Sequence, residues 1–220
     1  MGGFAKHVIT YKIKHRIYLL YNFLKMIELI FATNNQNKAA EINKMVSHLY
    51  RIITLKEAGI DIDIPEPYET LKENAFEKSI TIHRLTGKNC FSEDTGLFVK
   101  SLHGEPGVKS ARYAGEGKTT KDNIDKLLTK LDKCENRDAF FQTIISLIIN
   151  NEQYYFEGIC KGTITTQFKG ESGFGYDPIF VPDGATKTFA EMTTEDKNTF
   201  SHRKEATLKL IHFLSHYGKE

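Results

Sequence analysis

Two adjacent carboxylates, Glu93 and Asp94, are the residues whose types and spacing most suggest chemistry. They follow the apolar pair Cys90-Phe91 and precede Thr95-Gly96, so we expect them at the end of a strand, where side chains can face a cleft. A magnesium site needs one or two hard oxygen ligands plus substrate phosphates, and this pair could supply them. The alternative is a solvated turn with two ordinary surface acids, which the pair taken alone favours.

A polar loop, Thr33 to Lys38, separates the apolar run 27–32 from a predicted helix. Such a loop presents backbone N–H groups and the positive end of the helix dipole, and Lys38 adds a full charge. This pattern predicts an anion site. The alternative is that Thr33 and Asn37 only cap the helix.

A glycine-rich segment, Gly170 to Pro178, places two aromatic residues among three glycines. Glycine lets a backbone approach a ligand closely, and Phe174 and Tyr176 offer flat faces for stacking a base. The segment therefore suggests a ligand loop. A hairpin with both aromatic rings folded inward remains the alternative.

Other charged residues carry weaker signals. Glu66 and Glu69 precede a predicted helix, so either could point at a neighbouring site or serve as an acid favoured by the helix dipole. Lys187 lies in a loop that looks exposed. His202 and Arg203 lie off the apolar face of the predicted last helix, where such a pair is usually solvated.

The elements that must position these residues alternate between strands and helices. Apolar runs predict strands at 27–32, 52–55, 139–149, 154–160 and 162–166. Helical spacing and capping residues predict a first helix after Lys38 that includes Ile42, Val46 and Leu49. They predict further helices from Thr70 past Ile82, from Thr119 to Leu131, and from Thr193 towards Tyr217. Early strand-helix-strand units indicate parallel pairing and later tight turns indicate antiparallel pairing, so we expect an α/β fold with a mixed sheet flanked by helices.

Composition narrows the class of protein. The 220 residues suffice for one sizeable domain or two lobes sharing a sheet, and 40% hydrophobic with 26% charged residues is ordinary for a globular protein. Five of the 30 Lys and Arg lie in residues 1–25, which hold no acid, so 25 basic residues stand against 28 acidic ones elsewhere, a net charge of −3. This balance argues against a nucleic-acid partner. Three widely spaced cysteines favour a reduced, cytoplasmic setting.

Residues 1–25 differ from the rest of the chain. They are basic and aromatic, and their apolar run, residues 17–24, is too short to span a bilayer. We interpret them as an extension outside the fold, either an appended tail or translation from upstream of Met26, and we expect no membrane partner. The predicted domain is 26–220.

Several motifs occur in a fixed order from Met26 to about Tyr217. They are Phe31-Ala32-Thr33-Asn34-Asn35 with Lys38, Pro65-Glu66, Glu73-Asn74-Ala75, Ser92-Glu93-Asp94-Thr95-Gly96-Leu97, Pro106-Gly107, Ser110-Ala111-Arg112-Tyr113, Gly173-Phe174-Gly175-Tyr176-Asp177-Pro178, Lys187 and Ser201-His202-Arg203. Together they resemble the inosine/xanthosine triphosphate pyrophosphatase family. Asn34 stands where that family often has Gly, and Glu93 where many members have Asp.

The resemblance implies an enzyme that hydrolyses non-standard purine nucleoside triphosphates (ITP, dITP and XTP) to the monophosphate and pyrophosphate, with Mg²⁺ as cofactor. It also implies an elongated mixed sheet in two lobes around a nucleotide cleft, usually as a homodimer. Alternatives are a related pyrophosphatase for modified pyrimidine nucleotides and a nucleotide-binding regulator that does not hydrolyse.

The resemblance also assigns roles to residues. It implies that Asp94 is the general base and a metal-site carboxylate, that Glu66 is the second metal ligand, and that Glu93 supports them. The substrate-binding residues that it implies are Thr33, Asn34, Asn35, Gln36, Asn37, Lys38, Thr95, Phe174, Gly175, Tyr176, Asp177, Lys187, His202 and Arg203. The first six lie in the phosphate loop, while Phe174, Tyr176, Asp177, His202 and Arg203 should form the base pocket.

Overall fold

A computed structural model describes residues 27–43, 45 and 50–217. The extension 1–25 lies outside the described residues, so the domain boundary before Met26 stays a prediction. Val46 and Leu49, expected in the first helix, are also outside them. No helix in the described part of the chain is both long enough and apolar enough to cross a membrane.

One mixed sheet organises the described chain. Its strands are β1 (Ile27–Phe31), β2 (Tyr50–Thr54), β3 (Cys90–Val99), β4 (Pro106–Gly107), β5 (Asp138–Ile149), β6 (Glu152–Ile164) and β7 (Phe180–Pro182). They lie in the order β2-β1-β3-β5-β6-β7, with β4 paired to β3. The pairs β1–β2 and β1–β3 are parallel and the others antiparallel, which confirms the mixed α/β sheet.

Five α-helices flank the sheet within the described residues: α1 (Gln36–Asn43), α2 (Leu71–Thr86), α3 (Thr120–Lys130), α4 (Thr194–Phe200) and α5 (His202–His216). The hydroxyl of Thr70 accepts from the backbone N–H of Glu73, and Thr119 forms a capping box with Asp122. Both caps match the expected helix starts, because a hydroxyl at that position satisfies an N–H that has no partner inside the helix.

The core lies on both faces of the long strands. On one face α2 packs Leu71, Ala75 and Ile82 towards β3 and β5. On the opposite face two apolar clusters lie at the two ends of these strands, one beside α1 and α5 and the other beside α3.

Two expectations about element boundaries were wrong. The predicted strands 154–160 and 162–166 form one continuous strand, β6, because β5 pairs with it along its whole length. The predicted last helix is two helices, because Ser201 has an extended backbone (φ −66°, ψ 119°) and its side chain caps the start of α5.

The acids Glu93 and Asp94 also lie elsewhere than expected, in the middle of β3 rather than at its end. Thr95 bonds across to Thr143 on β5 at 2.7 Å between their hydroxyl oxygens, so the strand continues through it. Gly96 does not make a turn: a Cβ there would lie 2.6 Å from the carbonyl oxygen of Gly107, so glycine is required by the close approach of β4.

Candidate active site

A cavity of about 800 Å³ opens beside the middle of β3. Strand β1 pairs with β3 only at Cys90 and Phe91, and β4 pairs with it only at Leu97 and Phe98. The intervening edge of β3 is therefore not covered by a strand on that side. The loop after β1, the loop 61–67, the start of α5 and the glycine-rich loop surround this gap.

Most of the sequence-predicted site residues line this one cavity. They are Thr33, Asn34, Asn35, Asn37, Lys38, Glu66, Asp94, Thr95, Phe174, Gly175, Tyr176, Asp177, His202 and Arg203. Two are not brought there: Gln36 is exposed in the first turn of α1, and Lys187 is exposed in the loop after β7. The distant segments therefore converge, as expected.

The polar loop after β1 is held by its own side chains. Asn35 Oδ1 accepts from the backbone N–H groups of Asn37 and Lys38 at 3.0 and 3.2 Å, so Asn35 caps α1. Thr33 Oγ1 accepts from the N–H of Asn35 at 3.1 Å, and Asn34 donates to the carbonyl of Ile62 at 3.0 Å. The cap and the anion-site interpretations are compatible, because the loop still places Lys38 and a helix N-terminus at the cavity.

The two neighbouring acids are divided between the faces of β3. Successive side chains of a strand point to opposite faces, so adjacent residues meet different partners. Asp94 faces α2 and contacts Lys78, whereas Glu93 faces α5 and contacts Arg203. Glu93 and Asp94 therefore do not form a joint metal site, contrary to the sequence interpretation.

Glu93 belongs to a buried ion network instead. It accepts from Arg203 Nε at both carboxylate oxygens and lies 3.1 Å from the ammonium of Lys38. Arg203 also donates to Glu41 on α1. Burial alone would raise the pKa of Glu93, but Arg203 and Lys38 lower it to about 2. The network ties β3, α1 and α5 together beneath the cavity.

Asp94 and Glu66 face each other across a lysine. The ammonium of Lys78 lies 2.5 Å from Glu66 Oε1 and 3.2 Å from Asp94 Oδ1. Arg112 adds two contacts to Glu66, from Nη1 to the carboxylate at 3.2 Å and from Nη2 to the backbone carbonyl at 2.9 Å. Both carboxylates are therefore within reach of one cation, although they are 28 positions apart in the chain.

The pKa values of the two carboxylates shift in opposite directions. Burial raises the pKa of Asp94, Glu66 adds to the rise, and Lys78 and Lys38 only partly offset it. Burial also favours a higher pKa for Glu66, but Lys78, Lys38 and Arg112 outweigh it and lower that pKa. The pKa of Asp94 is therefore shifted towards neutrality, whereas that of Glu66 is shifted away from it.

The donor set fits magnesium. Asp94 Oδ2 is buried and has no hydrogen-bond partner among the described residues, so it has a lone pair available for a ligand. No group of three or more His, Cys, Asp or Glu residues that could hold a metal occurs within 27–43, 45 and 50–217. Mg²⁺ commonly takes one or two carboxylates and completes its shell with water and substrate phosphates. Glu66 and Asp94 match that requirement.

The two aromatic rings of the glycine-rich loop both line the cavity but differ in their burial. Phe174 is half-buried, with Lys197 Nζ 5.0 Å and Arg203 Cζ 5.5 Å from its ring centroid. Tyr176 is 4% exposed, packs into the apolar cluster beside α3, and donates its hydroxyl to the carbonyl of Ser110. Phe174 therefore offers a stacking face, whereas Tyr176 mainly holds the loop in place.

Asp177 closes the loop on itself. Its Oδ2 accepts from the backbone N–H of Phe174 at 2.9 Å and lies 2.7 Å from the ammonium of Lys197. A Cβ at Gly173, whose φ is +84°, would overlap this carboxylate. Burial raises the pKa of Asp177, with Lys197 acting against it.

His202 and Arg203 are buried rather than solvated. They lie in the first turn of α5, on its inner face, and are 5% and 3% exposed. Burial and the charge of Arg203 lower the pKa of His202 well below its usual value of 6.5, so the imidazole is neutral. Its Nδ1 has no hydrogen-bond partner in the described part of the chain.

Three charged residues of the site were missed from the sequence, Glu41, Lys78 and Lys197, and Arg112 was noted only as part of a motif, with no role. Lys78 did leave a signal, because it lies among the buried positions of α2, where a lysine is unusual without a partner. No sequence signal pointed to Lys197, because α4 has no buried residue that would mark which face of the helix points inward. Its role at the cavity depends on how α4 is placed.

The protein-family model of the Ham1 family matches residues 29–213. A dITP/XTP pyrophosphatase of Flavobacterium psychrophilum is 48% identical over 188 residues, which cover 86% of this chain and 99% of the relative. A dITP/XTP pyrophosphatase of Porphyromonas gingivalis is 46% identical over 190 residues, which cover 86% of this chain and 98% of the relative.

Solved structures agree with these relatives. The Ham1 protein of Staphylococcus aureus has a TM-score of 0.80 at 40% identity, and the match covers 88% of this chain and 100% of that one. A HAM1 protein from Coxiella burnetii has a TM-score of 0.81 at 34% identity, and the match covers 86% of this chain and 99% of that one. The chain belongs to the Ham1 family.

Proposed function

We propose that this member of the Ham1 family is a nucleoside triphosphate pyrophosphatase. It hydrolyses non-standard purine nucleoside triphosphates (ITP, dITP and XTP) to the monophosphate and pyrophosphate. The curated relatives are named dITP/XTP pyrophosphatases, and this chain covers nearly their whole length. One observation in the structure carries the proposal: Asp94 Oδ2, which has no hydrogen-bond partner among the described residues, lies at a cavity that the polar loop after β1 and the glycine-rich loop also line.

Asp94 acts as the general base in this proposal. A carboxylate accepts a proton from the attacking water more readily when its pKa is nearer to neutrality, and burial moves the pKa of Asp94 in that direction. Lys78 holds the carboxylate through Oδ1 and leaves Oδ2 available. As Asp94 takes a proton from the water, the water oxygen bonds to the α-phosphorus. The bond from the α-phosphorus to the oxygen that bridges to the β-phosphorus breaks, so pyrophosphate leaves and the monophosphate remains.

Positive charge from the chain stabilises the leaving pyrophosphate. Lys38 and the N-terminus of α1 lie at one part of the cavity wall, and Lys78 lies beside the acids. Such fixed charges stabilise the negative charge that grows on a leaving phosphate group. We propose Mg²⁺ as the cofactor, held by Glu66 and Asp94, where it would neutralise phosphate charge and polarise the attacking water.

Base recognition is assigned to the opposite part of the cavity. The ring of Phe174 supplies a stacking surface, and the neutral imidazole of His202 supplies a hydrogen-bonding group. A donor here favours the 6-keto oxygen of hypoxanthine and xanthine over the 6-amino group of adenine. A site built to bond one of these groups leaves a buried group unpaired with the other, which can discriminate by orders of magnitude.

The function is tested by incubating the full chain and Mg²⁺ with ITP, dITP, XTP, GTP, ATP and dUTP, and assaying pyrophosphate and orthophosphate separately. We expect pyrophosphate as the product and the fastest turnover with ITP, dITP and XTP. Orthophosphate as the product, or equal rates with ATP, would contradict the proposal. Preference for dUTP would favour a pyrimidine pyrophosphatase, and binding without turnover would favour a regulator.

We further propose that the protein is a homodimer and acts in the cytoplasm. Light scattering of the purified chain decides the first, since a monomeric mass at micromolar concentration would contradict a dimer.

A further inference from the structure

Two residues of the β5–β6 hairpin, Phe141 and Gly158, contact His202 from the side of the sheet. The imidazole of His202 stacks on the ring of Phe141 on β5, with ring centroids 4.7 Å apart and planes inclined by 12°. Phe141 is itself 7% exposed and packs edge-on against Phe180, with centroids 4.7 Å apart. Because Phe180 holds the ring of Phe141 in place, the ring of Phe141 sets the plane of the imidazole that stacks on it.

The second support is the bare backbone of Gly158 on β6. A Cβ at this position would overlap the carbonyl oxygen of His202 and lie 2.7 Å from the backbone nitrogen of Ala206. No side chain therefore fits between β6 and the first turn of α5. Glu205 reinforces the contact, because its Oε2 accepts from the backbone N–H of Ile159 at 2.9 Å.

The two supports lie close together on the same face of the sheet. Phe141 is the register partner of Cys160, and Gly158 is the partner of Thr143, so the supports are two pairs apart on adjacent strands. Phe141 fixes the imidazole plane, while Gly158 fixes the height of the His202 main chain above the sheet. The next residue, Arg203, is held by Glu93, so the turn is also tied from that side.

We propose that Phe141 and Gly158 are positioning residues for base selection: they hold the imidazole of His202 at the distance and angle from which it tells a keto purine from an amino purine. This inference rests on the proposed function and deepens it. Neither residue needs to touch the reacting phosphates. Their loss should lower selectivity more than it lowers the chemistry, because Asp94 and Lys78 lie on the other face of β3.

The test compares Phe141→Leu and Gly158→Ala with two matched controls. Phe140→Leu changes the neighbouring ring on β5, which points to the opposite face and stacks on Phe98 at 5.0 Å between centroids. Gly87→Ala changes the glycine that ends α2, where a φ of +66° strains any side chain although no atom lies within 4 Å of the added Cβ. The controls perturb packing against Phe98 or the end of α2 and leave the contacts of Phe141, Phe180 and α5 in place.

The readouts are kcat/KM for ITP and for ATP, measured on the full chain, together with the melting temperature of each variant. We expect both test variants to lower the ITP-to-ATP ratio of kcat/KM by about tenfold or more, since a misaligned hydrogen bond loses that much. The controls should change the ratio less than about twofold, even where they lower the melting temperature equally.

Two results would overturn the inference: an unchanged ratio in Phe141→Leu, or an equal loss of ratio in the controls. If Gly158→Ala does not fold, Phe141→Leu still tests the inference, because leucine keeps an apolar side chain in the apolar cluster that contains Phe141. Failure of the proposed function shows differently, as a wild-type chain that releases orthophosphate or treats ITP and ATP alike.

Discussion

Arg203 Nε donates to both carboxylate oxygens of Glu93, at 3.0 and 2.8 Å, across 110 positions of the chain. Both side chains are almost fully buried, at 3% and 0% exposure. The pair holds the first turn of α5 against β3, and with it the wall of the cavity beside His202.

Replacing Glu93 by Gln should destabilise the fold strongly. The change removes one charge of a buried network and leaves Arg203 and Lys38 undercompensated, which typically costs about 3–5 kcal/mol. Urea unfolding measures the loss. The control is Glu28→Gln, whose ion pairs with Arg51 and Lys88 are partly exposed and should cost less than about 1 kcal/mol. A loss for Glu93→Gln no larger than that of the control would contradict the prediction.

The contribution of Glu93 to stability should depend on acidity. Its pKa is lowered to about 2 in the folded chain from an ordinary value of 4.5, despite the opposing effect of burial. A lowered carboxyl pKa gives stability that is fully present above the ordinary value and is lost as the pH falls towards the folded value. The difference in unfolding free energy between wild type and Glu93→Gln should therefore shrink below pH 4.5. A difference that stays constant down to about pH 3 would show that folding does not lower the pKa of Glu93.

Asp94→Asn should abolish turnover and spare binding. Removing a general base costs roughly 10²- to 10⁴-fold in rate. The phosphate loop and the ring of Phe174 are unchanged, so ITP should still raise the melting temperature of the variant. Pyrophosphate release gives the rate, and the exposed Asp138→Asn serves as the control. Turnover near the wild-type rate would remove Asp94 from the role of base.

Glu66→Gln should raise the magnesium requirement. The variant keeps the shape of the side chain but loses one of the two carboxylates that face Lys78. The Mg²⁺ concentration for half-maximal rate should rise by at least about tenfold. Glu69→Gln is the matched control, because Glu69 is three positions away and 80% exposed. An unchanged requirement in Glu66→Gln would exclude Glu66 as a ligand.

Lys197, rather than Lys187, should be the lysine that matters for nucleotide binding. Lys197 lines the cavity and holds Asp177 and the ring of Phe174, whereas Lys187 is exposed outside the cavity. Losing a hydrogen bond to a charged group costs about 1.5–3 kcal/mol, so Lys197→Gln should raise KM for ITP by roughly tenfold or more. Lys187→Gln should stay within about twofold of wild type. The opposite order would restore the role that the resemblance assigned to Lys187.

Much of the site could be predicted from the sequence, because a motif is recognised by the types and order of its residues. Their positions in space need not be known. Glu66, Asp94, the loop around Phe174 and the residues of Thr33 to Lys38 other than Gln36 line one cavity. Helices with clear caps, such as those after Thr70 and Thr119, could also be predicted, because capping depends on residues only three positions apart.

What only the tertiary structure decided is which partner each side chain meets. A strand places adjacent residues on opposite faces, so the neighbours Glu93 and Asp94 have separate tasks once α5 covers one face and α2 the other. Burial of His202 and Arg203, and the inward packing of Tyr176, depend on the same long-range contacts. The sequence alone determined which chemical groups are available, whereas the packing of the helices on the sheet determined their partners and their charge, because burial and ion pairing act between residues far apart in the chain.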